Sequence, residues 1–528
     1  MIEMVNKKGI APVSQKPKVR KNNLSKKVIL VIMDGWGVGK PDKYNAIDNA
    51  QKPIYDKLAR NYPNTSLKSD GLSVGLPEGQ MGTSEVNHLT IGAGRVILQD
   101  LPRINNSIET GEFYNNEALV SLMENCKKYG SNIHLAGILS DGGLHSHTNH
   151  LSAIFEFLSR HQFENKIFVH SFTDGRDVPP ISAENYFKWL DGQIKKYSNI
   201  NISLATVQGR LYLDRDKDWD KTKFAVELVT KAVGRRFNDW QAVLNYEYNQ
   251  NNKDEFFEQY AIGDYFGFTD GDGLFMFHYR TDRMHQFLKA IFDNTSKKSI
   301  IGSFVSPGEE FTRLLVAFPR LKVTDTMSEA ISKAGKKQIH IAETEKYQHL
   351  TFFLNGEREQ EFEGETWEMC DSNRFVKPQY NYEPSMRNFD LTKRVIKAID
   401  DEEYDFIAVN FSSTDMVGHT GNYPAAVIAT ESVDYCLGKI FETIESKLDK
   451  YALIITADHG NADIMWDYKN NQPHTQHTLN PVPFIVVSDL DCTLDRRESL
   501  EDVAPTILDL MGIEKPFVMT GTSLILRK

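Results

Sequence analysis

Few cysteines, no long apolar run and no surplus of positive charge: each shortage in this chain closes off a class of function. The 528 residues include four cysteines, Cys126, Cys370, Cys436 and Cys492, scattered without C-x-x-C spacing. Such a pattern suggests neither a zinc knuckle nor a disulfide framework, and it fits reduced thiols in the cytoplasm. No stretch approaches the ~18 apolar residues of a membrane span. The first 26 residues lack the apolar segment of a secretory signal and are rich in Lys, Asn, Pro and Ser, with Glu3 their only acid. A disordered basic tail over 1–26 is expected. The formal net charge of -11 argues against a nucleic-acid partner, because a phosphate backbone is met by an excess of Lys and Arg. Any anion must therefore be held locally. No internal repeat is evident, which disfavours a solenoid.

What is present reads as a soluble α/β protein. Hydrophobic residues make up 40% and charged residues 25%, and a chain this long exceeds what one core normally organises, so two domains are expected. Short β-branched apolar runs alternate with helical patterns, the arrangement of parallel α/β sheets. The runs are Val28 to Met33, Ile133 to Leu139, Lys166 to Phe172, Ile202 to Val207 and Leu274 to Tyr279. After them come Gln338 to Ala342, Asp405 to Phe411, Ala452 to Ala457 and Pro483 to Ser488. Pro424 to Leu448 and Leu500 to Gly512 carry apolar residues at helical spacing.

The residues that follow each run carry the chemistry. Asp34 follows the first; Asp415 and His419, four apart, follow Phe411; Asp458 and His459 follow Ala457; His477 lies in PHTQHT. Ligands gather beyond the carboxyl ends of strands in open α/β sheets. Carboxylate plus imidazole suits Mn, Zn, Fe or Co better than Ca, so a pair of divalent ions is plausible. One such Asp or His is ordinarily a helix cap or a surface residue; four elements together point to a metal site. The middle of the chain bears arginines instead: Arg176, Arg210, Arg215, Arg280 and Arg283 each follow an apolar run. Arg holds phosphate or carboxylate by paired hydrogen bonds, so a focused cationic pocket for a small anionic substrate is expected. This alternation predicts a domain of 99–326 inserted into one formed by 27–98 and 327–528.

The stretch Met81 to Arg95, MGTSEVNHLTIGAGR, places Ser84 four residues before His88. A hydrolase elbow would read G-x-S-x-G, but Val86 stands where its second glycine belongs. The phosphate loop G-x-x-x-x-G-K-[ST] is also absent. A serine whose hydroxyl is activated by a metal remains, with His88 as a loop-shaping residue.

These residues resemble the cofactor-independent phosphoglycerate mutases of the alkaline phosphatase superfamily. The matching stretches are VIMDGWG, MGTSEVNHLTIGAGR, LSDGGLHSH, FTDGRDVPP, GRLYLDRD, FHYRTDR, IAETEKY, DMVGHTG, TADHGNAD, PHTQHT, VAPTILDLMG and MTGTSL, in the family's order. The resemblance implies an alkaline-phosphatase-like metal domain with an inserted α/β transferase domain, acting as a monomer on phosphoglycerate in glycolysis and gluconeogenesis. By motif, Ser84 is the nucleophile that becomes phosphorylated. One metal takes Asp415, His419 and His477; the other takes Asp34, Ser84, Asp458 and His459. Manganese is the first expectation, with Co, Zn or Mg as alternatives. His145, Arg176, Asp177, Arg210, Arg215, Arg280, Arg283 and Lys346 match the substrate-binding positions, and Asp177 is placed to exchange protons with the glycerate hydroxyls. Keeping water from phosphoserine implies hinge motion near residues 98 and 326.

Thr83 stands where the family commonly has Asn, and Asn87 where it has Gly; GRLYLDRD is one residue shorter than the usual motif. A metal-dependent phosphatase or phosphopentomutase of the same superfamily would share the metal clusters, and the arginine loops speak for the mutase. A metal-binding protein on a retired catalytic fold is the non-enzymatic alternative, against which stands the complete ligand set.

Overall fold

The computed structural model describes residues 25–213, 217–496 and 499–528. Most of the expected basic tail therefore lies outside the described residues. Its last two positions are folded: Lys26 is buried and its Nζ donates to the carbonyls of Leu448 and Asp449 at 2.8 and 2.7 Å. The described residues form two compact units. One combines 25–99 with Lys322–Lys528, the other is Asp100–Leu321, and each has its own hydrophobic core.

The first unit is built on a seven-stranded sheet. Its order is Glu365–Cys370, Gln338–Glu343, Phe406–Phe411, Lys27–Met33, Tyr451–Thr456, Val482–Val487 and Asn64–Leu67. The first five are mutually parallel. Residues Val28 to Met33 are fully buried, which explains why the run is continuously apolar instead of alternating: helices cover both faces of a parallel sheet. Register fixes where the chemistry falls. Met33 pairs with Phe411 and Ile32 with Thr456, so the chain leaves three adjacent strands at one level, just ahead of Asp34, Asp415 and Asp458. The Val482–Val487 strand departs from the all-parallel expectation, running antiparallel to both neighbours. No covering helix joins it to Tyr451–Thr456: the connection runs through the short antiparallel pair Trp466–Asp467 and Gln472–Pro473 and then the His477 segment. Pro424 to Leu448 forms the expected helix as Tyr423–Ile444, followed by the tighter turn Glu445–Lys447.

The second unit has an eight-stranded sheet. Its order is Leu315–Val316, Ile300–Ser303, Gly273–Met276, Ile133–Ile138, Lys166–Thr173, Asn201–Gly209, Tyr260–Ile262 and Arg235–Phe237. The six strands from Leu315–Val316 to Asn201–Gly209 are parallel, and Tyr260–Ile262 pairs antiparallel with Asn201–Gly209. The Leu274 to Tyr279 run is strand only as far as Met276. Beyond it the Tyr279 amide donates to the His145 carbonyl at 2.9 Å, tying two loops together. Among the described residues no helix is long and apolar enough to cross a membrane.

Candidate functional site

In the first unit, Ser84 opens the Ser84–Ala93 helix, so the glycine-rich segment is a turn followed by a helix, not a loop throughout. Thr83 is its N-cap, in extended conformation, with Oγ1 accepting from the Val86 amide at 3.4 Å. Thr is a favoured cap because it satisfies an amide that the first helical turn leaves unpaired. Gly82 must lack a side chain: a Cβ there would lie 2.0 Å from the Ser69 carbonyl oxygen and 2.3 Å from Asn87 Nδ2. Gly35 allows a second close approach. At φ +76°, its Cβ would lie 2.7 Å from the Asp415 Cα, and this lets Asp34 and Asp415 face each other.

Seven residues singled out from the sequence converge here: Asp34, Ser84, Asp415, His419, Asp458, His459 and His477. Ser84 Oγ lies 2.9 Å from His459 Nε2 and accepts from Lys346 Nζ at 2.6 Å. Lys346 also reaches Asp34 Oδ1 and Asp415 Oδ2, both at 2.7 Å. It thus sits with the carboxylates rather than with the arginines among which the resemblance grouped it. His419 donates through Nδ1 to the Thr475 carbonyl at 2.8 Å, and His477 through Nδ1 to the Gly82 carbonyl at 2.7 Å. These bonds fix both rings so that each Nε2 faces Asp415 Oδ1, at 3.2 and 3.4 Å, the usual way in which a backbone acceptor orients a metal-binding imidazole. The sets Asp415, His419, His477 and Asp34, Asp415, His459 each bring their ligand atoms within 4.8 Å of one another.

The electrostatics call for cations. Asp34, Asp415 and Asp458 are all buried, and isolated buried carboxylates are strongly disfavoured. Burial and repulsion from Asp458 push the Asp34 carboxyl up, against the pull of Lys346. Burial also penalises Asp415, but Lys346, His419 and His477 outweigh it and hold its carboxyl well below the usual range. Burial opposes charge on Lys346, and the three carboxylates overcome it, raising the ammonium's pKa. His419 loses to burial but gains more from Asp415, and is pushed up to about 9. Asp458 Oδ2 is buried without a hydrogen-bond partner, and Asp34 Oδ1 has the Lys346 ammonium beside it at 2.7 Å. Buried carboxylates clustered with imidazole nitrogens, one of their oxygens unpaired, fit divalent metal.

The second unit gathers His145, Asp177 and Arg210. His145 Nδ1 donates to Asp177 Oδ2 at 2.6 Å, and Arg210 Nη2 lies 3.1 Å from His145 Nε2. Arg210 is buried, pairing through Nη1 with Asp174 and with Asp177 Oδ2 at 2.9 Å. Burial raises the Asp177 carboxyl, but His145 and Arg210 prevail and bring it to about 2. Burial keeps His145 below its ordinary value despite Asp177. The other arginines are less engaged. Arg176 is 57% exposed and 3.6 Å from Glu255; Arg280 pairs with Asp282 at 2.9 Å; Arg283 donates to the Leu213 carbonyl at 3.1 Å. Arg215 lies outside the described residues.

Several residues escaped the sequence reading. Asp174 accepts from the amides of Arg176 and Asp177 at 3.2 and 3.0 Å and from Ser140 Oγ at 2.6 Å, and so shapes the loop. Its signal was its place in TDGRD, directly after a strand. Asn410 and Asn461 are buried beside metal-type carboxylates, and nothing in their sequence context announces this.

The Metalloenzyme superfamily matches residues 26–515. Among curated proteins, the 2,3-bisphosphoglycerate-independent phosphoglycerate mutase of Acetivibrio thermocellus is 40% identical over 516 residues, covering 95% of this chain and 99% of that protein. Those of Clostridium kluyveri and Ehrlichia ruminantium are each 42% identical, covering 95% and 94% of this chain and 99% and 98% of the relatives. Among solved structures, Leishmania mexicana phosphoglycerate mutase at low cobalt concentration is 29% identical with a TM-score of 0.58, covering 97% of this chain and 100% of that one.

Proposed function

The chain belongs to the 2,3-bisphosphoglycerate-independent phosphoglycerate mutases, within the Metalloenzyme superfamily, and from that premise we propose that Ser84 carries the phosphoryl group between the 3- and 2-hydroxyls of glycerate. The observation that carries this reading is the position of Ser84 Oγ, bonded by Lys346 at 2.6 Å and His459 at 2.9 Å among buried carboxylates. The amides of the first turn of its helix offer a further site for phosphoryl oxygens.

In this reading one divalent ion is held by Asp415, His419 and His477, and the other by Asp34, Ser84, Asp458 and His459, with manganese as the working identity. Ions bound there would lower the pKa of the serine hydroxyl and neutralise phosphoryl charge. Ser84 Oγ gives up its proton and attacks phosphorus in line, the bond to the 3-oxygen of the substrate breaks, and that oxygen takes up a proton, so that none is gained or lost overall. The phosphoryl group then returns from Oγ to the 2-hydroxyl, which gives up its proton as Oγ regains one. Lys346, next to Oγ, supplies fixed positive charge to the phosphoryl oxygens in both steps.

Glycerate itself is assigned to His145, Arg176, Arg210, Arg215, Arg280 and Arg283. Asp177, held ionised by His145 and Arg210, is the group assigned to exchange protons with the glycerate hydroxyls. The four cysteines are free and buried, in keeping with a reducing compartment, the cytoplasm, and a monomer is the working oligomeric state. The test is incubation with 3-phosphoglycerate and Mn²⁺ in the absence of bisphosphoglycerate. Formation of 2-phosphoglycerate supports the proposal, and release of free phosphate in its place refutes it.

A further inference from the structure

A neutral amide stands behind two of the buried carboxylates. Asn410, at the end of the Phe406–Phe411 strand, donates through Nδ2 to Asp34 Oδ2 at 2.8 Å. Asn461 donates through Nδ2 to Asp415 Oδ1 at 2.7 Å. Both asparagines are fully buried. A carboxylate only accepts, so the amide nitrogen rather than its oxygen must face each aspartate.

The same Asn410 Nδ2 lies 3.1 Å from His88 Nε2. That ring nitrogen must accept, which leaves the proton on Nδ1, where it is donated to the Ser84 carbonyl at 2.8 Å. His88 Nδ1 is also 3.4 Å from Asp458 Oδ2, and geometry alone would admit His88 as a ligand beside Asp34 and Asp458. The hydrogen-bond chain decides otherwise: with Nδ1 protonated and Nε2 occupied, neither nitrogen has a lone pair for an ion.

We propose that Asn410 and Asn461 are positioning residues for the metal centre, each engaging one oxygen of Asp34 or Asp415, and that Asn410 through His88 also fixes the main chain of Ser84. The consequence for Asp34 is directional. Its Oδ2 is taken by the amide, while Oδ1 is the atom that faces Lys346 at 2.7 Å and His459 at 3.8 Å. Asn461 acts on Asp415 twice, its Nδ2 also lying 3.3 Å from the Asp415 carbonyl. Gly418 leaves room for it, since a Cβ there would meet Asn461 Oδ1 at 2.4 Å. Amides can do this without adding charge, so they orient the carboxylates while leaving their attraction for cations intact. Partners of this kind, behind the ligands, typically change metal affinity ~10–100-fold.

The inference rests on the ligand assignment proposed above, and calorimetric titration of metal-free protein with Mn²⁺ separates the two. The unaltered chain must show two binding events; if it shows none, the ligand assignment itself is wrong. Given two events, Asn410→Ala is expected to weaken ~10–100-fold the site containing Asp34, and Asn461→Ala the site containing Asp415, each leaving the other within a few-fold. General loosening of the fold would weaken both sites in both variants. Affinities within twofold of the parent in either variant, or equal losses at both sites, overturn the proposal. Circular dichroism and the unfolding midpoint of the metal-free variants establish that they are folded. Should an alanine variant not fold, Asn410→Ser and Asn461→Ser are titrated against the same two criteria.

Discussion

At the carboxyl edge of the seven-stranded sheet, three buried aspartates face a single lysine; at the same edge of the eight-stranded sheet, a buried arginine faces Asp174 and Asp177, with further arginines on neighbouring loops. Both units use parallel strands whose ends bring loops to one level. Only the side chains differ, and they reverse the charge of the ligand each edge can hold. The first edge has more carboxylates than cations and an unpaired Asp458 oxygen, a set suited to metal. The second presents guanidinium and imidazole groups suited to an organic anion. On the proposed assignment, division of labour between two similar scaffolds comes from loop chemistry rather than from the fold.

The sharpest way to break this comparison is to remove the atom on which the first cluster converges. Ser84→Ala should reduce mutase turnover by at least about a thousand-fold, since nothing replaces the nucleophile. It should leave glycerate binding by the second unit unchanged. Steady-state assay alongside calorimetry with glycerate measures both. Loss of glycerate binding would mean that the clusters are not separable.

Chelation comes next. Removing divalent metal should lower activity at least about a hundred-fold, with recovery on adding Mn²⁺, again without weakening glycerate binding. Arg210→Ala tests the other edge. It strips the partner from Asp174 and Asp177, and breaking a buried pair costs about 3–5 kcal/mol. A drop in the unfolding midpoint is expected, with raised KM and Mn²⁺ binding unaffected.

Acid should also separate the units. The Asp177 carboxyl is depressed to about 2 by His145 and Arg210 against the cost of burial. Its folded pKa lies below the unfolded value of about 3.9. Its stabilisation is therefore complete above pH ~4 and is lost as pH falls toward 2. Asp177→Asn should flatten that part of the stability profile. The smallest effect is at Thr83, where Thr83→Ala should cost about 1 kcal/mol by removing the cap, as read by chemical denaturation.

Much of this was legible in the sequence. Continuous apolar runs such as Val28 to Met33 gave away the buried parallel strands. Aspartates and histidines directly after such runs marked the metal edge, because strand ends in one sheet converge by register. The antiparallel Val482–Val487 strand was not legible, since strand direction depends on the connection and not on composition. Nor was the placement of Lys346, or the contacts of Asn410 and Asn461, which run across 46 to 376 positions of sequence. The Thr83 and Asn87 departures acquire physical sense only in the fold. Thr83 caps the helix, and Asn87 donates to the carbonyls of Ser69 and Asp458 at 2.9 and 2.6 Å, fastening the helix that Ser84 opens to the loop of Asp458 and His459.

Ser84 itself is proposed to carry the phosphoryl group. Acid quenching during turnover of 3-phosphoglycerate with Mn²⁺, followed by peptide mass spectrometry, reads this directly. Phosphate on Ser84, absent from Ser84→Ala, is the predicted result. Sustained conversion to 2-phosphoglycerate by Ser84→Ala, or phosphate on a different residue, would contradict it.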